Sequence, residues 1–286
     1  MKHRLKKPSV TTTSNQIKKV TLKMLALGML FGANAIQAQD KQDVKEDYQP
    51  FSFGLTVKNM HLWHGFVVTP GPMVATNLEF NSRDKKFTFG FWGGTGAASD
   101  VTNKNTGQIV GAHYKEFSIY TAYHFTNNFF VEAVTHNNYT GVEERGDVLH
   151  YWSYNKRQGY NFVDLNFGYQ VTKSTSLYLA TILGGGSGDY QVQANGSLRD
   201  SYTHYLEVKS KVYEKRGSSL FLFAGGAWSF INDKTFYTEG KGNIINVGAT
   251  LSRKVNFGSY GVPVDVTAMW NPEKQKTVLQ IAAKLF

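Results

Sequence analysis

Eight charged residues fall on the polar faces of alternating segments: Lys58, Glu79, Glu132, Asp164, Glu207, Lys209, Lys211 and Asp265. Successive side chains of a strand point to opposite faces, so alternation turns all eight inward. Such a set could line a solute path whose selectivity comes from diameter and charge. The plainer reading is a set of paired, solvated charges filling a narrow interior. His61, Trp63 and His64 invite a metal site. Positions three apart in a strand face opposite sides, so the spacing favours an interfacial aromatic cluster over a shared ion. Glu132 and His136 share a face but stand about 13 Å apart along an extended strand, too far for a dyad.

Other chemical motifs are weaker. Gly93-Gly94-Thr95-Gly96 and Gly184-Gly185-Gly186-Ser187-Gly188 lack the Lys-Ser/Thr and the helix that follow in a phosphate loop. Glycine in a strand more often permits bends, bulges and tight packing. No Gly-x-Ser-x-Gly and no His-x-Ser occurs. His150 with Ser153 is an example of a pair that could still be built in space. The sequence assigns no catalytic residue, metal or cofactor. With no Cys in the chain, disulfides, thiolate zinc sites and cysteine nucleophiles are excluded together.

The elements that must hold these residues are strands. After Phe51 the pattern has period two and no amphipathic helix of useful length. Twelve segments qualify: 51–64, 72–82, 86–97, 116–126, 128–140, 159–172, 175–186, 204–215, 218–231, 243–256, 261–271 and 276–286. In one, Val163, Leu165, Phe167, Tyr169 and Val171 oppose Phe162, Asp164, Asn166, Gly168 and Gln170. The connections alternate. Residues 83–85, 127, 173–174, 216–217 and 257–260 are tight. Residues 65–71, 98–115, 141–158, 187–203 and 232–242 are longer, and only 272–275 breaks the pattern. Short turns at one end and long loops at the other mark outer-membrane barrels. Aromatics gather at both ends, as two bilayer interfaces would require. Phe80, Phe87, Phe125, Phe129, Tyr169, Tyr213 and Phe257 flank the turns. Trp63, Phe66, Trp92, Tyr139, Tyr160, Trp228, Phe230 and Trp270 flank the loops. The expected fold is all-β: one antiparallel transmembrane β-barrel of twelve strands, with ten and fourteen as alternatives.

The formal charge of +10 suggests nucleic acid, but its distribution argues otherwise. Residues 1–38 hold seven basic side chains and no acidic one. Taking those seven from 31 leaves 24 basic against 21 acidic residues, or +3 for the rest. Nucleic acid is therefore dropped as a partner. Lys18-Lys19-Val20-Thr21-Leu22-Lys23 is a positive n-region, and Met24 to Ala35 is apolar. Ala33-Asn34-Ala35 and Ile36-Gln37-Ala38 offer small residues for cleavage. This is signal-peptide architecture, and the apolar run is shorter than the roughly 20 residues a spanning helix needs. The expected organisation is a signal peptide over 1–38, a short polar periplasmic leader over 39–50 and a barrel over 51–286.

The chain ends Leu279-Gln280-Ile281-Ala282-Ala283-Lys284-Leu285-Phe286. A final strand with a terminal aromatic resembles the signal read by the barrel assembly machinery, with Phe286 as its key residue. Lys284 and Gln280 depart from the usual pattern, in which apolar residues share the face of the terminal aromatic. Further upstream, Trp63-His64-Gly65 ends the first strand and Gly71-Pro72 opens the second. Phe89-Gly90-Phe91-Trp92-Gly93 forms the third, and Tyr114-Lys115-Glu116-Phe117 begins the fourth. Over residues 53–125 this order resembles the TorF-type porins, a group of bacterial outer-membrane barrels. That family often has Arg where His64 stands. The resemblance implies a barrel with a pore and no particular substrate.

These readings converge on a passive channel for small polar solutes in the cell outer membrane. Its partners would be outer-membrane lipid and lipopolysaccharide, the assembly machinery and the solutes themselves. The alternatives are a non-conducting structural or surface-interaction barrel and, further off, a lipid-modifying enzyme. The last would need a His and a Ser or Asp within hydrogen-bond reach on the lipid face.

Overall fold

The computed structural model describes residues 48–102, 109–138, 153–156, 161–185 and 188–286. The expected signal peptide and leader up to residue 47 lie outside them. So do Tyr139, Tyr160 and His150.

Every regular element among the described residues is a strand. In order these are β1 (Phe51–Lys58), β2 (His61–Trp63), β3 (Phe66–Thr69), β4 (Met73–Asn81), β5 (Phe87–Thr102), β6 (Ile109–Thr126), β7 (Phe129–His136) and β8 (Phe162–Gln170). They continue as β9 (Thr175–Gly185), β10 (Tyr190–Val192), β11 (Leu198–Asp200), β12 (His204–Lys215), β13 (Ser218–Trp228), β14 (Asn243–Phe257), β15 (Tyr260–Asn271) and β16 (Lys276–Lys284). Twelve of them close one barrel in the order β1-β16-β15-β14-β13-β12-β9-β8-β7-β6-β5-β4, every pairing antiparallel. The expected twelve-stranded antiparallel barrel is thus the observed one. The remaining four strands form two small hairpins, β2–β3 and β10–β11, that the periodicity did not reveal.

Alternation builds the wall as read. In β8, Phe162, Asp164, Asn166 and Gly168 turn inward and are buried, while Tyr169 faces out. Along the outer surface Phe53, Leu78, Val208, Leu222, Leu251, Leu279 and Ile281 form an apolar belt. At the turn end Tyr123, Phe125, Tyr169, Tyr213, Phe257 and Tyr260 stand exposed. The tight turns carry the backbone they need. Arg216 and Gly217 both have positive φ (52° and 72°), as a two-residue hairpin loop of matching twist requires.

Two sequence expectations are corrected. The first strand does not run to His64: pairing with the neighbouring strands stops at Lys58. Residues 59–72 leave the wall, and β2–β3 folds inside the barrel. Trp63, Phe66 and Trp92 therefore belong to no interfacial ring, because they pack in the interior. A twelve-stranded barrel has more interior than its own inward side chains fill, so the inserted hairpin takes up the space.

The terminal strand clarifies its odd residues. Leu279 and Ile281 face out, whereas Gln280 donates from Nε2 to the carbonyl of Met60 on the inserted segment (2.9 Å). Lys284 meets Asp265 at 3.8 Å. Phe286 lies beyond the end of β16 and is exposed.

Candidate functional site: a divided lumen

The inserted hairpin is held from several sides. Asn59 donates its backbone N–H to Ile281 O (3.1 Å), and Asn271 Nδ2 donates to Gly65 O (3.0 Å). At its tip His64 has φ 45° and Gly65 φ 82°. A Cβ on Gly65 would stand 2.3 Å from the carbonyl oxygen of Ile245, so the tip reaches the β14 wall only because that side chain is missing.

Aromatic rings pack around this tip. Trp63 packs against His64, His136, Phe162, Phe236 and Tyr237 at centroid distances of 4.2 to 6.0 Å. Phe236 and Tyr237 come from the 229–242 connection, and the Tyr237 hydroxyl is 2.9 Å from His64 Nδ1. That connection is itself tied to the β10–β11 hairpin. Asn232 Nδ2 donates to the carbonyls of Arg199 and Asp200, both at 3.0 Å, and Ser201 Oγ donates to Lys234 O at 2.7 Å.

Among the described residues two cavities lie below and beside the hairpin. The larger cavity, about 700 Å³, is walled by β4–β9 and covered by Trp63, Phe66 and Phe236. Its polar lining includes Glu79, Glu116 and Glu132, with no Lys or Arg. The smaller cavity, about 170 Å³, lies on the β12–β16 side and contains Glu207 and Lys209.

Four of the charged residues named from sequence line the two cavities, Glu79 and Glu132 the larger and Glu207 and Lys209 the smaller. Glu79 accepts from the Tyr120 hydroxyl (2.6 Å) and from Ser52 Oγ (3.1 Å). Glu132 accepts from Asn166 Nδ2 (3.1 Å). Asp164, 1% exposed, lies 3.2 Å from His136 Nε2. On the opposite arc Glu207 accepts from the Tyr205 hydroxyl (2.6 Å) and Asn246 Nδ2 (2.8 Å). Lys209 lies over the Phe221 ring at 5.0 Å. Lys58 is within electrostatic reach of Lys284 and Asp265. Lys211 reaches neither cavity and pairs with Glu214 at the turn end (2.5 Å).

Sequence reasoning missed a three-strand cluster. Glu116 on β6 faces His136 Nδ1 at 3.4 Å, while Asp164 on β8 faces the other ring nitrogen. A ring donating from both nitrogens satisfies both carboxylates. Tyr114 and Ser118 also donate to Glu116, at 2.7 and 2.9 Å. The alternation Tyr114, Glu116, Ser118, Tyr120 was the available signal. Glu132 and His136 do not form a dyad, as their spacing indicated; each pairs with a neighbouring strand instead.

His61 also moves. It stacks on Trp92 at 5.5 Å inside the barrel. Among the described residues no three His, Asp or Glu side chains are grouped to hold a metal ion. Gly93 and Gly94 sit in the β5 wall, not in a phosphate loop. On the outer face at the loop end, Thr181 Oγ1 lies 2.9 Å from His204 Nδ1, with Trp228 and Phe230 beside the ring. Among the described residues no carboxylate hydrogen-bonds the ring's other nitrogen, the place that the orienting third group of a triad would take.

The fold and this site define a closed β-barrel with an apolar outer belt and a partly filled lumen that carries carboxylates among aromatic side chains. No protein-family model matches the chain, and no curated protein sequence does. Solved structures similar to it include LpxR from Salmonella typhimurium, at 10% identity and TM-score 0.36, covering 81% of this chain and 98% of that one. A Pseudomonas aeruginosa FadL homologue matches at 12% identity and TM-score 0.38, covering 82% and 75%. The Ralstonia pickettii toluene transporter TbuX matches at 12% and 0.34, covering 82% and 87%. These are distant likenesses between barrels. The resemblance of residues 53–125 to TorF-type porins finds no support among them.

Proposed function

We propose that this protein is an outer-membrane barrel that passes small polar solutes through its lumen, with residues 59–72 and 229–242 as a gate at the extracellular end. The observation that carries the reading is the interior cavity of about 700 Å³ whose carboxylates face open space beneath an inserted hairpin. A barrel needed only as a scaffold has no use for unfilled volume, since voids cost stability. The β4–β9 arc carries carboxylates without Lys or Arg, whereas the β12–β16 arc mixes Glu207 and Asp265 with Lys209 and Lys284, so a solute would be sorted by charge and diameter. The apolar belt and the turn-end aromatics suit lipid contact and an interfacial girdle. Lipopolysaccharide and the assembly machinery would then be its envelope partners.

A second reading has its own support. Five rings pack around Trp63, and a non-conducting barrel would use such packing to keep the loop end shut permanently. Planar-bilayer recording of purified, folded protein separates the two. Discrete conductance steps are expected. Their absence in protein whose gel mobility is still heat-modifiable would sink the channel and favour the sealed barrel.

A further inference from the structure

The larger cavity has a chemistry more specific than that of a general pore. Its lining holds three carboxylates and no Lys or Arg. His136 lies between Glu116 and Asp164 and answers both. Glu79 and Glu132 are left: their partners are Tyr120, Ser52 and Asn166, and among the described residues neither forms an ion pair. Negative charge without a counter-ion, held in a partly enclosed space, attracts a cation strongly.

Two further observations point to a ligand. Asn166 lines this cavity, is 2% exposed and leaves Oδ1 without a hydrogen-bond partner, although its Nδ2 serves Glu132. His61, 9% exposed on the same lining, likewise leaves Nδ1 unpartnered. Buried polar atoms without partners are uncommon and ask for an explanation. The remaining walls are aromatic, among them Trp63, Trp92, Tyr120, Tyr178 and Phe236. Ring faces attract cations, ammonium groups included. A bare metal ion would want convergent ligands, and the described residues group none.

We propose that the cavity is a binding site for a small organic cation of the amine or quaternary-ammonium class. Glu79 and Glu132 supply the counter-charge, Trp63, Trp92 and Tyr120 the ring faces, and Asn166 Oδ1 an acceptor for an N–H or O–H of the ligand. The cavity, at about 700 Å³, lies within the range of about 300–1,000 Å³ usual for small-molecule pockets and has ample room for such a cation. This inference rests on the reading of the lumen as a solute path, and it names the solute that path would favour.

The test uses the folded full barrel in detergent. Choline is titrated against its neutral isostere 3,3-dimethylbutan-1-ol, with tryptophan fluorescence and calorimetry as readouts. Choline is expected to bind at least tenfold more tightly than the isostere. Glu79→Gln and Glu132→Gln are each expected to remove about tenfold of that preference while leaving the isostere unchanged. Equal binding of the two ligands, or no binding of choline, overturns the proposal, and that comparison needs no variant. Bilayer recording keeps the two readings apart. A conducting protein that does not distinguish choline from its isostere loses this inference and keeps the channel. A non-conducting protein that binds choline loses the channel and keeps the site.

Discussion

His64 stacks on Tyr205 with ring centroids 4.2 Å apart and planes 17° from parallel. The two residues come from opposite sides of the problem: one is the tip of the inserted hairpin, the other is a wall residue of β12. Their contact spans the lumen and is reinforced by Tyr237, whose hydroxyl lies 2.9 Å from His64 Nδ1. Offset aromatic pairs add about 0.5–1.5 kcal/mol beyond their burial. A gate closed by a few such contacts can open without unfolding the barrel.

Tyr205→Ala is therefore expected to raise open probability several-fold in bilayer recordings, since it removes the wall half of the stack. Trp63→Ala, at the centre of the seal, is expected to go further and to speed amide exchange across 61–69 and 229–242. Large-to-small changes at buried aromatics cost about 3–5 kcal/mol, concentrated here in the gate. Wild-type conductance and exchange in both variants would show that these rings do not hold the mouth shut.

Gly90→Ala tests how the wall positions the cavity. A Cβ there would stand 2.3 Å from the Tyr120 ring, which lies flat over the glycine and directs its hydroxyl to Glu79. The ring must shift, so we expect a loss of about 1–3 kcal/mol in urea unfolding from vesicles and weaker choline binding. Gly111→Ala is the comparison, because a Cβ at Gly111 meets nothing within 4 Å. Equal effects at the two glycines would refute the packing argument.

Asp189, in the connection before β12, carries a pH dependence. Burial pushes its carboxyl up to about 6, and hydrogen bonds from Thr203 only partly oppose the shift. A group whose folded pKa is raised above its unfolded value of 3.8 binds its proton more tightly when folded. The local structure is thus firmest at low pH and loosens as pH rises through about 6. Opening of residues 188–203, followed by limited proteolysis, is expected to be about tenfold less frequent at pH 5 than at pH 7.5. Asp189→Asn should flatten the difference; an unchanged profile would assign it to another group.

Phe286 is exposed beyond β16 and its carbonyl accepts one long backbone hydrogen bond, from Leu55 N at 3.4 Å, so its deletion removes little packing. We expect near-wild-type unfolding of refolded protein but a marked fall in outer-membrane assembly in cells, measured by the heat-modifiable fraction. Equal losses in both assays would make Phe286 a structural residue and not an assembly signal.

The sequence by itself determined the barrel. A strand number of about twelve and the inward and outward faces follow from a period-two pattern, which is local and survives without knowledge of partners, although residues 98–102 and 109–115, read as part of a long connection, extend β5 and β6. It also determined that Asp164, Glu132 and Glu79 turn inward. Only the tertiary structure decided what fills the interior. An aromatic near a strand end reads alike whether it faces lipid or folds into the lumen, so Trp63 and Phe66 were indistinguishable from girdle residues. Likewise Glu116, His136 and Asp164 meet across three strands, and their register depends on pairings that no single segment contains. Alternation says which way a side chain points; closure of the sheet says what it points at.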